Sequence, residues 1–486
     1  MLELFPILVW VLSGFVVARS LGITGPLLAL VSFPLGVAIG ILLFLVQVTL
    51  PVPSWPLIAL IAAAVAAAVV LVRDASRGCL LAQWRWLVVP AIVSAAVTVL
   101  MQVLPAIHWS TDSLFNLEIS RLLVADEFGQ VDWGAAERRQ LAVPFVHGVS
   151  LQLGQGDYLA PLAPLLALSV LGLVWWLLRS RLSARHGYVA DLIGVLGAFV
   201  VMSMNRFVFH AFYLNGHLLF ATLLLVLVGL FWARLAAFDV GASPRALVFV
   251  PLLVAPAIVV TRPEGTLLLI IVAVALWASD RELGPPTWLS LVIGLATAVW
   301  NARLIVGELQ RSGGAATSAM VMFALGLVML ALPIVARRLP RSALDRSTWL
   351  LESALWLALV AFAFRDPSVL INSALATGAN LLLGAGGWGA SFVVLAVVAL
   401  VVVVAFRNND DLILRVTLSA FIPLAMLLAY AREGAYRYGD GDSLNRLWMH
   451  VLPLLVVAVV QRVMTGSPRS VARSTERAGA PGALGN

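Results

Sequence analysis

The chain has 486 residues, 62% of them hydrophobic and 11% charged, with a mean hydropathy of +1.02; a soluble globule cannot bury that much apolar surface, so lipid must be part of its solvent. The formal net charge is +7 and arginine supplies all 31 basic side chains, so the pI near 10.4 reflects arginine anchors at membrane edges, not a nucleic-acid surface, which needs a basic patch on a soluble face. A single cysteine, Cys79, excludes an internal disulfide and a cysteine-based metal site.

In chain order the apolar stretches predict fifteen helices, at roughly 4–18, 26–50, 56–72, 86–105, 159–178, 188–206, 217–234, 246–260, 264–279, 287–302, 316–336, 348–364, 388–406, 412–430 and 447–463. Glu3 precedes the first without a basic n-region, which argues against a cleaved signal peptide. The expectation is an all-α integral membrane protein, a polytopic helical bundle with about 13–15 transmembrane helices. N-terminal transmembrane helices occupy 1–85 and the main transmembrane unit 86–463. Residues 464–486, where Ser, Arg, Gly, Ala and Pro alternate without periodicity, read as a disordered cytoplasmic tail.

Loops on one face of the alternation hold 20 of the 31 basic residues. The other face collects Asp112, Glu118, Asp126, Glu127, Glu264, Asp440, Asp442 and five of the six histidines. Cytoplasmic loops retain arginine, so the acidic, His-bearing loops are expected on the exoplasmic side. One of them is long, 106–158, and a loop of that size is usually functional. Within it Leu114, Phe115, Leu117, Ile119, Leu122 and Leu123 recur at near-helical spacing from Thr111 to Ala125, which predicts an amphipathic helix at the membrane surface.

Five polar segments mark the expected exoplasmic face. The first is His108 to Glu118, where Asp112 would sit in the first turn of the surface helix with His108 and Asn116 one helical step to either side. A carboxylate there can take a proton from an incoming hydroxyl, and it equally suits the dipole of a helix N-terminus. The second holds Asn205, Arg206, His210, Tyr213, Asn215 and His217. Its two histidines are seven apart, on one face of a continuous helix, which suits hydrogen-bonding or aromatic contacts better than a metal, since no compact ligand motif is present. In the third, Thr261-Arg262-Pro263-Glu264-Gly265, Thr261 and Glu264 fit a capping box at the start of a helix, while Arg262 near that N-terminus suits a phosphate. The fourth contains Arg437, Asp440, Asp442, Asn445, Arg446 and His450. Asp440-Gly441-Asp442 reads as a Gly-containing turn, and Arg446 either snorkels toward headgroups or meets a lipid phosphate. The fifth is Arg365-Asp366-Pro367 with Asn372; Arg303, Glu308 and Arg311 read as a solvated turn. Trp55, Trp109, Trp133, Trp388 and Trp448 fall near helix ends, as an interfacial belt would.

Four of these segments resemble the GT-C class of membrane glycosyltransferases: His108 to Glu118 in the long loop; Phe212-Tyr213-Leu214-Asn215-Gly216-His217; Thr261 to Gly265; and Asn445-Arg446-Leu447-Trp448-Met449-His450-Val451-Leu452-Pro453. The likeness extends over about residues 86–463 and rests on short motifs. It implies transfer of a sugar from a polyprenyl-phosphate donor to a glycan or lipid-linked acceptor at the exoplasmic face of the plasma (inner) membrane. Asp112 is then the base, Glu118 the group that positions acceptor hydroxyls or helps a divalent cation such as Mg or Mn, and Arg262 and Arg446 the donor-phosphate ligands. His108, Asn116, Arg206, His210, Tyr213, Asn215, His217, Glu264, Arg437, Asn445 and His450 complete the expected substrate-binding set. Two departures stand out: three helices precede the loop, where the class usually has one, and no large exoplasmic domain follows the membrane part. A polymerase or ligase of lipid-linked glycans would use similar residues with a diphosphate donor. A transporter or lipid flippase would instead place ionisable or broken-helix sites near the midplane, and a purely structural subunit would not need five polar segments on one face.

Overall fold

A computed structural model describes residues 4–49, 80–103, 111–125, 130–152, 159–213, 215–312, 317–407, 411–431, 434–439 and 443–468. The helices are α1 (Leu4–Ser20), α2 (Gly25–Thr49), α3 (Leu80–Val103), α4 (Thr111–Val124), α5 (Trp133–Arg139), α6 (Ala142–Gln152), α7 (Leu162–His186), α8 (Val189–Met202), α9 (Asn205–Ala211) and α10 (Gly216–Leu235). They continue as α11 (Ala246–Val259), α12 (Glu264–Ser279), α13 (Gly284–Ser312), α14 (Thr317–Ala336), α15 (Arg341–Arg365), α16 (Pro367–Leu382), α17 (Ala390–Ala405), α18 (Leu412–Ala431) and α19 (Ser443–Thr465). The protein is an all-α, polytopic membrane protein. Among the described residues nine helices are long and apolar enough to cross a bilayer, or ten if α8 and α9, bent by 79° at their junction, form one broken span. α1, α11, α12 and α17 are apolar but shorter. The predicted helix at 56–72 lies outside the described residues.

Composition decides which helix is central. From Leu218 to Trp232, α10 is apolar all round apart from Thr222, so no face is reserved for water. Every residue from Gly216 to Ala233 is buried. Around it pack α7, α11 and α19. At the periphery, α3, α14 and α15 leave Ile92, Val99, Val321, Val328, Leu350 and Leu357 exposed, as side chains that meet acyl chains should be. Lipid gives apolar helices no reason to exclude one another, so close packing must come from small residues. The α1–α2 crossing shows this, because a Cβ on Gly14 would collide with the Ser32 carbonyl and one on Gly36 with that of Trp10.

The helix ends near Arg19, Arg179, Arg234 and Arg341 form an arginine-rich end. There Arg179 pairs with Asp191 at 2.6 Å, and Arg234 with Asp280 at 3.0 Å and Glu282 at 2.7 Å. Arg415 pairs with Glu352 at 3.2 Å. Arg341 donates to the carbonyls of Trp277, Ala278 and Asp280, the last at 2.9 Å, and so supplies the orphan acceptors at the end of α12. Arg462 donates to the Phe406 carbonyl at 2.8 Å, beside β1 (Phe406–Arg407), which pairs antiparallel with β2 (Ser467–Pro468). Residues 464–468, expected at the start of a disordered tail, are therefore the end of α19 and the strand β2. Residues 469–486 lie outside the described residues.

At the opposite end the long loop folds into α4, α5 and α6. The predicted helix is present as α4, but it is not simply laid on a surface. Leu117, Ile119 and Leu123 are buried, and so are its polar Ser113, Asn116 and Ser120; Ser120 Oγ donates to the Pro144 carbonyl at 3.0 Å. α6 lies against α2 and α4, with Phe145 4.7 Å from the Phe44 ring and 5.9 Å from Trp300.

Several local expectations are corrected. Arg303, Glu308 and Arg311 belong to α13, which runs on to Ser312. Arg303 lies 4.1 Å over the Trp133 ring, and Arg311 pairs with Asp132 at 2.6 Å. The segment is a docking strut for α5, not a solvated turn. Trp133 and Trp388 are buried and so stand in the packed interior, not in an interfacial belt; Trp55 and Trp109 lie outside the described residues. After Arg365 comes a helix, α16, capped by Asp366, which accepts from the Ser368 N–H at 3.1 Å, with Pro367 in the first turn. Asn372, Thr377 and Asn380 dilute its apolar pattern, which is why hydropathy passes over it.

Candidate functional site

The third polar segment shows how local sequence shapes the site. The expected capping box does not form: Thr261 Oγ1 donates back to the Ala257 carbonyl at 2.6 Å and α12 starts at Pro263 without a side-chain cap. Glu264 is thereby left for tertiary contacts. It is buried, and its Oε1 accepts from Arg262 Nε at 3.1 Å and lies 3.7 Å from His450 Nδ1. His450 Nε2 is 2.8 Å from His217 Nδ1, so one ring donates and the other accepts. The two rings stack with centroids 5.0 Å apart, and His210 follows at 5.3 Å from His217. Asn215 opens α10 by accepting the His217 N–H at 3.2 Å.

Arg206 is buried beside this row with its guanidinium 4.8 Å from the Phe209 ring. Tyr213 is buried against Phe209 and His210 at 5.2 and 5.7 Å. Residues from α9, α10, α12 and α19 thus form one buried polar row, His210–His217–His450–Glu264, which ends on the half-buried Arg262 of the α11–α12 turn. Both ring nitrogens of His210 are buried without a hydrogen bond.

Arg262 is where this chain meets open space. A cavity of about 690 Å³ is lined by Asn116 of α4, Asn215, Arg262 and Arg446, all four expected from sequence. Glu137, Arg138, Arg139 and Gln140 of α5, Trp300 and Asn301 of α13, Thr317 and Ser318 of α14 and Leu428 of α18 also line it. α5 is capped at its start and tied to α13 and α14. Asp132 accepts the Ala135 N–H at 3.0 Å, Glu137 Oε1 accepts the Ala319 N–H at 2.6 Å, and Gln140 takes the indole N–H of Trp300. The Ala135 N–H first, and then Arg311, keep the Asp132 carboxyl below the usual carboxylate range. Behind α5, His147 is buried and accepts the Leu159 N–H at 3.2 Å; burial pushes its pKa down to about 3, so it is a neutral acceptor.

Three expected residues, Glu118, Asn445 and Arg437, lie elsewhere. Glu118 is exposed on α4 and does not line the cavity. Asn445 is buried in a packing role: it takes the Trp388 indole N–H and donates to the Gly386 carbonyl at 2.8 Å. Arg437 has an exposed side chain and offers its carbonyl to Asn380 at 2.9 Å. Asp112 stands in the first turn of α4, one turn before Asn116. His108, Asp440 and Asp442 fall outside the described residues.

Sequence reasoning missed Glu137, Arg138, Arg139 and Gln140. The signal available was a compact run of polar residues after Trp133, inside a loop already marked as functional. Among the described residues no three His, Cys, Asp or Glu side chains are grouped to hold a metal ion. Among the described residues the arrangement offers a carboxylate, several amides and hydroxyls, and four guanidinium groups around a space large enough for a sugar phosphate. Comparison of the chain with protein-family models, curated proteins and solved structures returned no match.

Proposed function

We propose that the protein is a membrane glycosyltransferase that moves a sugar from a polyprenyl-phosphate donor to an acceptor hydroxyl, with inversion, at the exoplasmic face of the plasma (inner) membrane. One observation carries the reading. Asn116, Asn215, Arg262 and Arg446 come from separate parts of the chain, yet line a single cavity that also contains a carboxylate. The apolar Val321, Met322 and Leu428 in its wall suit an isoprenoid tail beside a charged head. The positive-inside tendency supports this face, with the arginine-rich end in the cytoplasm.

In this mechanism the acceptor oxygen attacks the anomeric carbon as the bond from that carbon to the phosphate oxygen breaks. The acceptor's proton passes to a carboxylate. Glu137 is the carboxylate in the cavity wall among the described residues, and its tie to the Ala319 N–H fixes one oxygen; Asp112 is the second candidate for the base. The donor phosphate gains negative charge as it leaves, and Arg262 and Arg446 are the groups to compensate it. The buried Glu264–His450–His217 chain holds Arg262 in place.

A purified, lipid-reconstituted preparation assayed with a panel of polyprenyl-phosphate sugars tests this. Glu137→Gln should lower turnover by about 100- to 10,000-fold, the range ascribed to a general base, with polyprenyl-phosphate binding retained. If Glu137→Gln turns over normally and Asp112→Asn does not, the base is Asp112; if both turn over normally, carboxylate catalysis is wrong. The broken α8–α9 span, which carries Arg206 and His210, favours a second reading as a transporter of lipid-linked sugars. Flux of a labelled lipid-linked sugar across vesicles without transfer would select it.

A further inference from the structure

The buried asparagines among the described residues divide into two kinds. Asn380 and Asn445 use both ends of their carboxamides in packing. Asn380 donates to the Arg437 carbonyl at 2.9 Å and accepts the Gly439 N–H at 2.8 Å. Asn445 accepts the Trp388 indole N–H and donates to the Gly386 carbonyl at 2.8 Å. Asn116 and Asn301 differ. They are 8% and 4% exposed, and both line the cavity of about 690 Å³. Asn301 Nδ2 donates to the Thr297 carbonyl of its own helix at 2.8 Å. Among the described residues its oxygen accepts no hydrogen bond, and the Asn116 carboxamide makes none at either end. Buried amides are almost always paired, because an unmade hydrogen bond is costly. Here the unused ends border space that a ligand can fill.

The chemistry of those ends selects the ligand. Arg262 and Arg446 lie in the part of the wall that the glycosyltransferase reading gives to a phosphate, and Val321, Met322 and Leu428 in the part it gives to an isoprenoid tail. The α4 and α13 carboxamides belong to neither. With its nitrogen already engaged, Asn301 offers an acceptor oxygen, so whatever it meets must donate. An oxyanion would set lone pairs against that oxygen, and an apolar chain would leave it unpaired. A sugar hydroxyl donates and accepts at once, and the Asn116 carboxamide can answer a second hydroxyl in either role. Both residues stand on packed helices, as a binding group must if its geometry is to be set in advance. Trp300, next to Asn301, is buried with its indole N–H on Gln140, and Ser120, one turn after Asn116, is tied to the Pro144 carbonyl at 3.0 Å.

Resting on the glycosyltransferase reading, we propose that Asn116 and Asn301 form the subsite for an uncharged sugar ring, the Asn301 oxygen accepting from one ring hydroxyl and the Asn116 carboxamide bonding to another. The ring belongs to the donor or to the acceptor, and the hydroxyl chemistry is the same for both. These asparagines are then specificity residues, kept at a cost to the stability of the empty protein.

The full chain in phosphatidylcholine nanodiscs provides the test. It is titrated with polyprenyl phosphate, with the glucosyl, mannosyl, galactosyl, arabinosyl and glucuronosyl esters of that lipid, and with the corresponding methyl glycosides in discs with and without polyprenyl phosphate. If the ring is the donor's, at least one uncharged ester binds more tightly than bare polyprenyl phosphate. If it is the acceptor's, at least one uncharged methyl glycoside binds alongside polyprenyl phosphate. In either case Asn116→Ala and Asn301→Ala should each weaken the sugar-bearing probe by about three- to tenfold, the range of a neutral hydrogen bond, and leave bare polyprenyl phosphate unchanged. Without ligand, Asn116→Ala should melt at or above the wild-type temperature, whereas Asn380→Ala, whose carboxamide is used in packing, should melt lower and keep its sugar affinity. The proposal is overturned if no sugar-bearing probe gains over its sugar-free counterpart, or if the Asn116 and Asn301 variants weaken bare polyprenyl phosphate as much as the sugar-bearing probe. Binding of a glucuronic acid probe as tightly as the best uncharged one overturns it too, as does a lowered melting temperature in Asn116→Ala. Binding of polyprenyl phosphate with no sugar preference removes the subsite and leaves the glycosyltransferase reading standing. A methyl glycoside that binds through Asn116 and Asn301, where neither polyprenyl phosphate nor its esters bind, removes that reading and keeps the subsite.

Discussion

The two ends of the bundle use the same side chain for opposite purposes. At the arginine-rich end, Arg179, Arg234 and Arg415 reach carboxylates within 3.2 Å, and Arg341 and Arg462 reach carbonyls that end helices or flank a two-residue ladder. Their charge is consumed locally, in joining helix ends. At the other end, Arg138, Arg139, Arg262 and Arg446 share one cavity with Glu137 in its wall. Charge count therefore does not separate the ends; what the arginines face does. A residue whose partners lie on neighbouring helix termini is a fastener, whereas one in a cavity wall also borders space that a ligand can enter.

The largest expected effect comes from the one residue that belongs to both kinds of role. Glu264 is buried between Arg262 and His450, and removing it takes a carboxylate from the part-buried Arg262 guanidinium. Glu264→Ala should cost about 3–5 kcal/mol, as does breaking a buried pair from one side, and should also weaken polyprenyl-phosphate binding because Arg262 loses its support. Thermal unfolding in detergent and lipid-binding titrations read the two effects. A variant as stable as wild type would mean that the buried chain is not a charged network. Arg234→Ala is the counterpart at the fastening end. It leaves the buried Asp280 carboxylate without its nearest cation, for about 1–3 kcal/mol, and should leave ligand binding untouched. Loss of binding in this variant would break the contrast between the ends.

Much of this contrast was legible in the residues themselves. Long apolar runs announce helices because each must span hydrocarbon, and the arginine bias orders the ends. Arg262, Arg446, Asn116 and Asn215 were marked by polar character at helix boundaries, and the cavity unites them. What could not be read is which polar residue turns inward. Glu118 and Glu137 lie in the same loop and have the same chemistry, yet α4 turns Glu118 outward while the α13–α14 hairpin clamps α5 so that Glu137 joins the cavity wall. That choice depends on contacts nearly two hundred residues away, such as Glu137 with the Ala319 N–H. Thr261 and Glu264 mislead for a related reason: local capping lost to a tertiary partner, His450, that no short window contains. Asn445 and Arg437 were selected by proximity to a motif, but burial against Trp388 and exposure to solvent respectively decide their roles.

The smallest effect concerns the hinge between the two kinds of arginine. Arg311 is a fastener at the ligand-facing end, holding Asp132 and with it the start of α5. Asp132 has a folded-state pKa below its ordinary value, through the Ala135 N–H first and Arg311 after it, so its contribution to stability is present above the ordinary carboxylate pKa of about 3.9. It is lost as pH falls through the lower folded-state value. Both partners are nearly half exposed, and solvent screening keeps the gain to about 1 kcal/mol or less. Asp132→Asn retains a capping oxygen but loses the charge. Its melting temperature should therefore lie slightly below wild type at pH 7, with the gap closing below about pH 4 as the native carboxyl protonates. Adding salt at pH 7 should shrink the gap in the same way. A gap that persists unchanged at low pH would mean that Asp132 acts only as a cap, and that Arg311 does not fasten α5 electrostatically.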